Sequence, residues 1–258
     1  MSIMQPLVSI ITPTYQRQHF LEKALNYVRR QNYANWEWLI WDDSPEPIPL
    51  FLQLQDRNIR YIYSPERLSI GGKRNRLIDL ARGEIIVHMD DDDYYHPNYI
   101  TTMLTQLTNK QADLLNLRGW YVYDLRNRFF GYWNLMITTG LHYRCDAKTV
   151  TMQVFDQAMT EALRDNYLGY GFGYIYRKSL WRANPYPDIN YGEDTAMVCS
   201  ALRQGLPISG VLDTEAICLH YVHAQSTSIC FPQYHLPSIA GSKIFPDLNW
   251  ENATALSS

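Results

Sequence analysis

The sequence predicts an α/β fold, a single Rossmann-like domain with a mostly parallel central sheet flanked by helices. Two observations carry this expectation. Short, β-branched apolar runs alternate with helix-period segments over the first hundred residues. Several of those runs end in polar clusters, and in open parallel sheets ligands gather beyond the carboxyl ends of the strands. Thr12-Pro13-Thr14-Tyr15, Asp42-Asp43 and Asp90 to Asp93 all sit at such ends, so they should meet along one edge.

The elements follow in order. Leu7 to Thr12 is a β-branched run stopped by Pro13, which reads as a buried strand. From Gln18 to Gln31, Phe20, Leu21, Ala24, Leu25 and Val28 share one helical face. Trp36 to Trp41 and Arg60 to Tyr63 are further strands. Gly71-Gly72 opens a helix through Leu77, Ile78, Leu80 and Ala81 that stops at Gly83, and Glu84 to Met89 is the strand leading into the aspartates. Residues 101–112 and 193–204 read as helices, and 113–135 as aromatic-rich strands with turns. Gly169, Gly171 and Gly173 alternate with Tyr170, Phe172 and Tyr174, a pattern that suits close approach to the backbone. From Phe231 on no period is visible, and extended packing or partial order is expected.

Composition narrows the function classes. In 258 residues, 46% are hydrophobic and 19% charged, a globular profile. A net charge of −3 gives no electrostatic reason to expect nucleic acid. No apolar run approaches the roughly 20 residues needed to cross a bilayer, and Met1 to Pro6 lacks the features of a secretory signal. The four cysteines lack C-x-x-C spacing, so reduced, mostly buried thiols in a cytoplasmic protein are expected. Peripheral contact with the cytoplasmic membrane face is compatible with this.

The acidic quartet is the most informative motif. Neighbouring carboxylates repel, so at least one should have a raised pKa unless something neutralises them. On a strand side chains alternate faces, so Asp90 and Asp92 point one way and Asp91 and Asp93 the other. A same-side pair there suits a hard divalent cation, which takes oxygen ligands. The alternative is a solvated acidic loop capping the next helix.

Val8-Ser9-Ile10-Ile11-Thr12-Pro13-Thr14-Tyr15, Asp42-Asp43-Ser44, Gly71-Gly72-Lys73-Arg74-Asn75, and Gly83 to Asp93 resemble, in order and spacing, the family 2 glycosyltransferases of GT-A fold. Tyr191-Gly192-Glu193-Asp194 resembles their late acidic motif. Tyr221-Val222-His223, with Ser226-Thr227-Ser228, is similar to their closing histidine motif. The resemblance implies a nucleotide-diphosphate sugar donor, usually UDP-linked, Mn²⁺ or Mg²⁺, and inversion at the anomeric carbon. Residues 1–100 would be the nucleotide-sugar half and 101–230 the acceptor and catalytic half, with 231–258 a tail.

Carried over by position, Thr12, Pro13, Thr14 and Tyr15 would line the nucleoside pocket and Asp43 would bind the base. Lys73, Arg74, Asn75, Asp90 and Asp91 would complete the nucleotide site. Asp92, with Asp90 and His223, would hold the metal, and Asp93 would place the donor sugar. Asp194 would be the general base and Glu193 would orient the acceptor, against an aromatic wall of Tyr170, Phe172 and Trp181.

Each role has a plainer counterpart. Asp43 could cap the turn at Ser44-Pro45, and Glu193 and Asp194 could cap a helix. Lys73 and Arg74 could be solvated surface charge, although cations at a helix start favour a nearby anion. His223 has a rival in His220, His88 reads as core or close support for the site, and the aromatic wall could be core. The expected activity is metal-dependent inverting transfer to a hydroxyl on a glycan, lipid-linked or secondary-metabolite acceptor. The competing classes are a sugar-phosphate nucleotidyltransferase and a non-catalytic nucleotide-sugar binder. Against the former, the loop Pro13 to Arg17 has no glycine.

Overall fold

The computed structural model describes residues 5–163, 168, 170–248 and 250. The chain begins β1 (Val8–Thr14), α1 (Gln18–Arg29), β2 (Trp36–Asp42), α2 (Pro49–Leu52), β3 (Ile59–Tyr63), α3 (Ile70–Leu80), β4 (Ile85–His88), β5 (Tyr94–Tyr95) and α4 (Tyr99–Asn109). It continues with β6 (Leu114–Asp124), β7 (Phe129–Asn134), β8 (Gly140–Cys145), β9 (Val150–Phe155) and α5 (Gln157–Ala162). The last elements are β10 (Ile175–Arg177), α6 (Lys178–Ala183), α7 (Glu193–Arg203), β11 (Ile208–Leu212), β12 (Cys218–Val222), β13 (Tyr234–Leu236) and α8 (Ser238–Ile244). Two compact units result: Met1–Asn116 with Leu168–Gly210, and Leu117–Tyr167 with Val211–Ser258. The chain leaves the first unit after Asn116 and returns to it at Leu168.

In the first unit β1 pairs in parallel with β2 and β4, and β2 with β3, while β10 adds antiparallel to β4. The expected parallel sheet is therefore present. β1 does not stop before Pro13 but runs through it to Thr14. Its pairing with β4 ends at Ile11 opposite His88, so the missing Pro13 N–H removes no ladder bond on that side. Helix α1 buries Phe20, Leu21, Ala24, Leu25 and Val28, the apolar face anticipated from the spacing.

Helix α3 starts at Ile70, one residue before its glycines. Ser69 is its N-cap, and its Oγ accepts from the Gly72 N–H at 2.9 Å. Gly71 and Gly72 therefore lie within the first turn rather than in a flexible loop. Gly71 is needed for close approach: its N–H donates to the Ile189 carbonyl at 3.1 Å, and a Cβ there would fall 1.9 Å from the Pro187 carbonyl oxygen. Because the obstacle is backbone, Gly71→Ala should cost about 2–3 kcal/mol of stability. Urea denaturation checks this, and a wild-type midpoint would refute it.

The core of this unit packs α3, α6 and α7 on the sheet through Ile11, Leu39, Leu77, Tyr174, Trp181 and Val198. Glu37, buried on β2, was not anticipated. Ser9 Oγ donates to its Oε1 at 2.6 Å and Arg82 Nε to its Oε2 at 2.7 Å, which compensates the buried charge.

The second unit is aromatic. β7 runs antiparallel to β6 and β12 parallel to it, β13 adds antiparallel to β7, and β8 and β9 form a separate hairpin. The segment after Phe231 is more regular than expected, forming β13 and α8. Trp250 lies 5.0 Å from the Tyr123 ring and 5.1 Å from the Phe130 ring, so aromatic packing rather than periodicity holds it. Residues 249 and 251–258 of the expected tail, Met1 to Met4 and Gly169 lie outside the described residues. Cys145, Cys218 and Cys230 are buried thiols and Cys199 is half-buried.

Candidate active site

Strand β4 ends at His88, before the acids, so the alternation expected along the quartet does not apply. A turn follows, and it brings Asp93 together with Asp90 and Asp92: one carboxylate oxygen from each lies within 4.8 Å of the others. Asp91 points elsewhere, receiving Thr14 Oγ1 at 2.5 Å on Oδ2 and Arg17 Nη1 at 3.0 Å on Oδ1. Arg17 Nη1 also reaches Asp92 Oδ2 at 2.7 Å. Arg17 carries no motif of its own in the sequence, although it lies three residues beyond the end of β1. Against the effect of burial, Asp92 and Asp91 hold its guanidinium above the ordinary arginine range.

Asp90 is half-buried as a residue, but its Oδ1 is shut off from solvent and has no hydrogen-bond partner. Burial, opposed by Arg74 and reinforced by Asp92, Asp93 and Asp91, pushes its carboxyl up to about 7. Asp91 is pushed up to about 6, by burial first and Asp92 second. The raised carboxyl pKa expected from crowding is therefore present, with burial as its larger cause. Above the ordinary carboxylate range, folded Asp90 keeps a proton that the unfolded chain has shed. Its contribution to stability is complete below that range and is lost as pH rises through about 7. In urea titrations without divalent cation, wild type should lose stability between about pH 4 and about pH 7 relative to Asp90→Asn. Parallel pH profiles would refute the assignment.

The donor set fits a hard cation. Three carboxylates converge, and a shielded oxygen lacks a partner that a cation would supply.

At the end of β2 the two acids divide their work. Asp42, not Asp43, caps the turn, its Oδ1 accepting from the Ser44 N–H at 2.9 Å. Asp43 is buried, and Arg67 Nη1 at 2.6 Å, Lys73 Nζ at 2.8 Å and the Leu68 N–H at 2.9 Å all donate to it. Arg67 also lies over the Tyr15 ring, 3.3 Å from its centroid. Arg67 lies in the connection between β3 and α3, outside every motif that the sequence displays. Thr12 is fully buried between Trp38 Nε1, which donates to its Oγ1 at 2.8 Å, and the Met89 carbonyl at 2.5 Å. Tyr15 and Pro13 are half-buried, so of the four residues only these two retain some exposure.

Lys73 and Arg74 are not surface charges, being 4% and 5% exposed. The anions that hold them at the start of α3 are Asp43 for Lys73 and Glu193 for Arg74. Burial pulls the Lys73 ammonium below its usual range, with Asp43 opposing. Asn75 is committed to structure: Trp181 Nε1 and the Tyr186 N–H donate to its Oδ1 at 2.8 and 3.0 Å, and its amide donates to the Tyr186 carbonyl at 2.8 Å.

Glu193 is buried against Arg74 and so does not present itself to an acceptor. Burial raises its pKa, with Arg74 opposing. Asp194, next to it at the start of α7, is half-buried. Its Oδ2 accepts from the Gly171 N–H at 2.8 Å and its Oδ1 from the Thr195 N–H at 2.7 Å. A Cβ on Gly171 would lie 3.0 Å from both Arg74 Nη2 and Asp194 Oδ2, which explains a glycine here. Of the expected aromatic wall, Trp181 and Phe172 are buried at 8% and 3% exposure, and Tyr170 is half-buried. A face closed over by protein cannot stack on a sugar, so Trp181 and Phe172 belong to the core. His88 is buried as well, its Nε2 lying 3.1 Å from Tyr176 Oη and 3.2 Å from Tyr186 Oη. Burial holds it neutral.

In the second unit, His223 begins a turn. Its N–H donates to Ser226 Oγ at 2.9 Å and its Nδ1 accepts from the Gln225 N–H at 3.2 Å, while His220 Nε2 lies 3.2 Å from Ser228 Oγ.

Comparison with known proteins bears on the family and the fold. The model of the family described as glycosyl transferase family 2 matches residues 9–165, more than half of the chain. A putative colanic acid biosynthesis glycosyl transferase, WcaA of Escherichia coli K12, is 40% identical over 103 residues, which are 38% of this chain and 37% of that one. The Escherichia coli protein WfgD, named as a UDP-Glc:α-D-GlcNAc-diphosphoundecaprenol β-1,3-glucosyltransferase, is 31% identical over 111 residues, 42% of this chain and 44% of that one. The matched stretches thus span less than half of these relatives.

Among solved structures, Staphylococcus aureus TarS 1–349 superposes with a TM-score of 0.60 at 17% identity, covering 83% of this chain and 60% of that one. A Pyrobaculum calidifontis mannosyltransferase in complex with GDP-Man and Mn²⁺ gives 0.59 at 16%, covering 84% and 57%. These likenesses establish the GT-A fold. Together with the acidic turn beyond β4 and the family match along most of the chain, they lead to one conclusion: this chain belongs to glycosyl transferase family 2.

Proposed function

We propose that the chain transfers a sugar from a nucleotide-diphosphate donor, UDP-linked, to a hydroxyl on a glycan, lipid-linked or secondary-metabolite acceptor, with inversion and with Mn²⁺ or Mg²⁺. The observation that carries this reading is the convergence of Asp90, Asp92 and Asp93 around a shielded carboxylate oxygen. Those three residues would hold the cation, whose charge offsets that collecting on the departing diphosphate. The crystal complexes of TarS with UDP and UDP-GlcNAc support the choice of nucleotide, and the name of WfgD supports a lipid-linked acceptor.

This chain's own residues supply the remaining chemistry. The acceptor oxygen attacks the anomeric carbon opposite the diphosphate, whose bond to the sugar breaks with the electron pair leaving on phosphate oxygen. Asp194 takes the acceptor's proton. Two backbone N–H groups fix its carboxylate, and it keeps some exposure through which an acceptor can reach it. Arg74 and Glu193 neutralise one another beneath it and hold the start of α7. Asp43, Lys73 and Arg67, with Tyr15, form the polar floor for the nucleoside. No helix among the described residues is long and apolar enough to cross a membrane.

Incubation with a panel of nucleotide sugars, with and without Mn²⁺, tests the proposal through the nucleotide released. Metal-dependent release of UDP is expected. Release of pyrophosphate would indicate nucleotidyl transfer, and binding without turnover a non-catalytic role.

A further inference from the structure

We infer that Arg17 is a built-in counter-cation for Asp92, which a divalent cation must displace, so that Arg17 sets how tightly the site takes its metal. The inference rests on the metal reading of the acidic turn proposed above.

The backbone around Arg17 is held from two sides. Gln16 has φ of 52°, in the left-handed region, and its N–H donates to Ser44 Oγ at 2.7 Å beyond β2. The Arg17 carbonyl accepts from the Phe20 and Leu21 N–H groups at 3.1 and 3.0 Å, opening α1. Only the side chain is left to adjust, and it is 23% exposed. Its Nη1 spans two carboxylates of different kinds. Asp91, at 3.0 Å, stands outside the converging triad and is anchored by Thr14 Oγ1. Asp92, at 2.7 Å, belongs to the triad. The guanidinium can therefore stay on Asp91 while yielding Asp92.

Electrostatics gives the consequence. Without a metal, Arg17 relieves the repulsion among the acids. With one, a unit positive charge roughly 6 Å from a dication opposes binding by about tenfold, even at the dielectric of water. Arg17 is thus a positioning residue whose attraction for Asp92 competes with the metal.

Calorimetry should find that Arg17→Gln binds Mn²⁺ about tenfold more tightly than wild type, while Arg17→Lys, which keeps the charge, stays near wild type. Equal or weaker binding by Arg17→Gln would overturn the inference, as would equal tightening by Arg17→Lys. Arg17→Gln should also melt lower than wild type without metal and recover that loss at saturating Mn²⁺. The same loss in both conditions would mean a purely structural role and would overturn it.

If Arg17→Gln does not fold, the wild-type protein decides the matter. Labelling of Arg17 by phenylglyoxal, mapped by peptide mass, should rise several-fold on saturation with Mn²⁺, and unchanged labelling would overturn the inference. Should wild type bind no Mn²⁺, the metal reading falls and this inference with it. Should wild type and Arg17→Gln bind it equally, only the inference falls.

Discussion

Asp194→Asn is expected to leave UDP affinity unchanged and to lower the rate of sugar transfer by about 10³-fold or more, within the range general-base removal produces. The substitution keeps the shape of the side chain and an oxygen that can still accept from either the Gly171 or the Thr195 N–H, so the start of α7 should keep its position. What it removes is the proton acceptor. Glu193 cannot take over, because it is buried and committed to Arg74. Single-turnover measurement at saturating donor separates the chemical step from binding. Retained turnover would move the base to another residue, and lost UDP affinity would make Asp194 a structural element of the donor site.

Asp92→Asn should act on the other half of the reaction, weakening Mn²⁺-dependent UDP binding by at least about a hundredfold. Loss of even a supporting group at a metal site costs 10–100-fold, and this change removes a direct ligand charge. Folding should survive, since Arg17 keeps Asp91 as a partner and the change relieves repulsion on Asp90 and Asp93. Titration calorimetry with and without Mn²⁺ measures the effect. UDP affinity that matches wild type in both conditions would show that the metal assignment is wrong. The two variants are complementary, one losing donor binding and the other transfer alone, so obtaining the same phenotype from both would contradict the division of labour proposed for the site.

Much of this was legible in the chain itself. The buried face of α1, the strands β1 to β4 and the polar clusters at their ends follow from hydrophobic period, and period depends on near neighbours only. What failed did so for identifiable reasons. Capping by Ser69 starts α3 at Ile70, one residue before its glycines. Strand alternation does not extend through the quartet, because β4 ends at His88 and the turn that follows gathers Asp93 with Asp90 and Asp92. Trp181 and Phe172 are indistinguishable by type from a sugar-stacking wall, and only their burial assigns them to the core.

The sequence by itself determined the class of fold, the family resemblance and the set of acids on which any chemistry here must draw, because these depend on local pattern and residue type. Tertiary structure alone decided which charge meets which. Arg17 with Asp91 and Asp92, Lys73 with Asp43, and Arg74 with Glu193 are pairs separated by 74, 75, 30 and 119 positions along the chain. Coulombic attraction acts through space and leaves no periodic trace in the order of residues, so such partners become visible only once the backbone has brought them together.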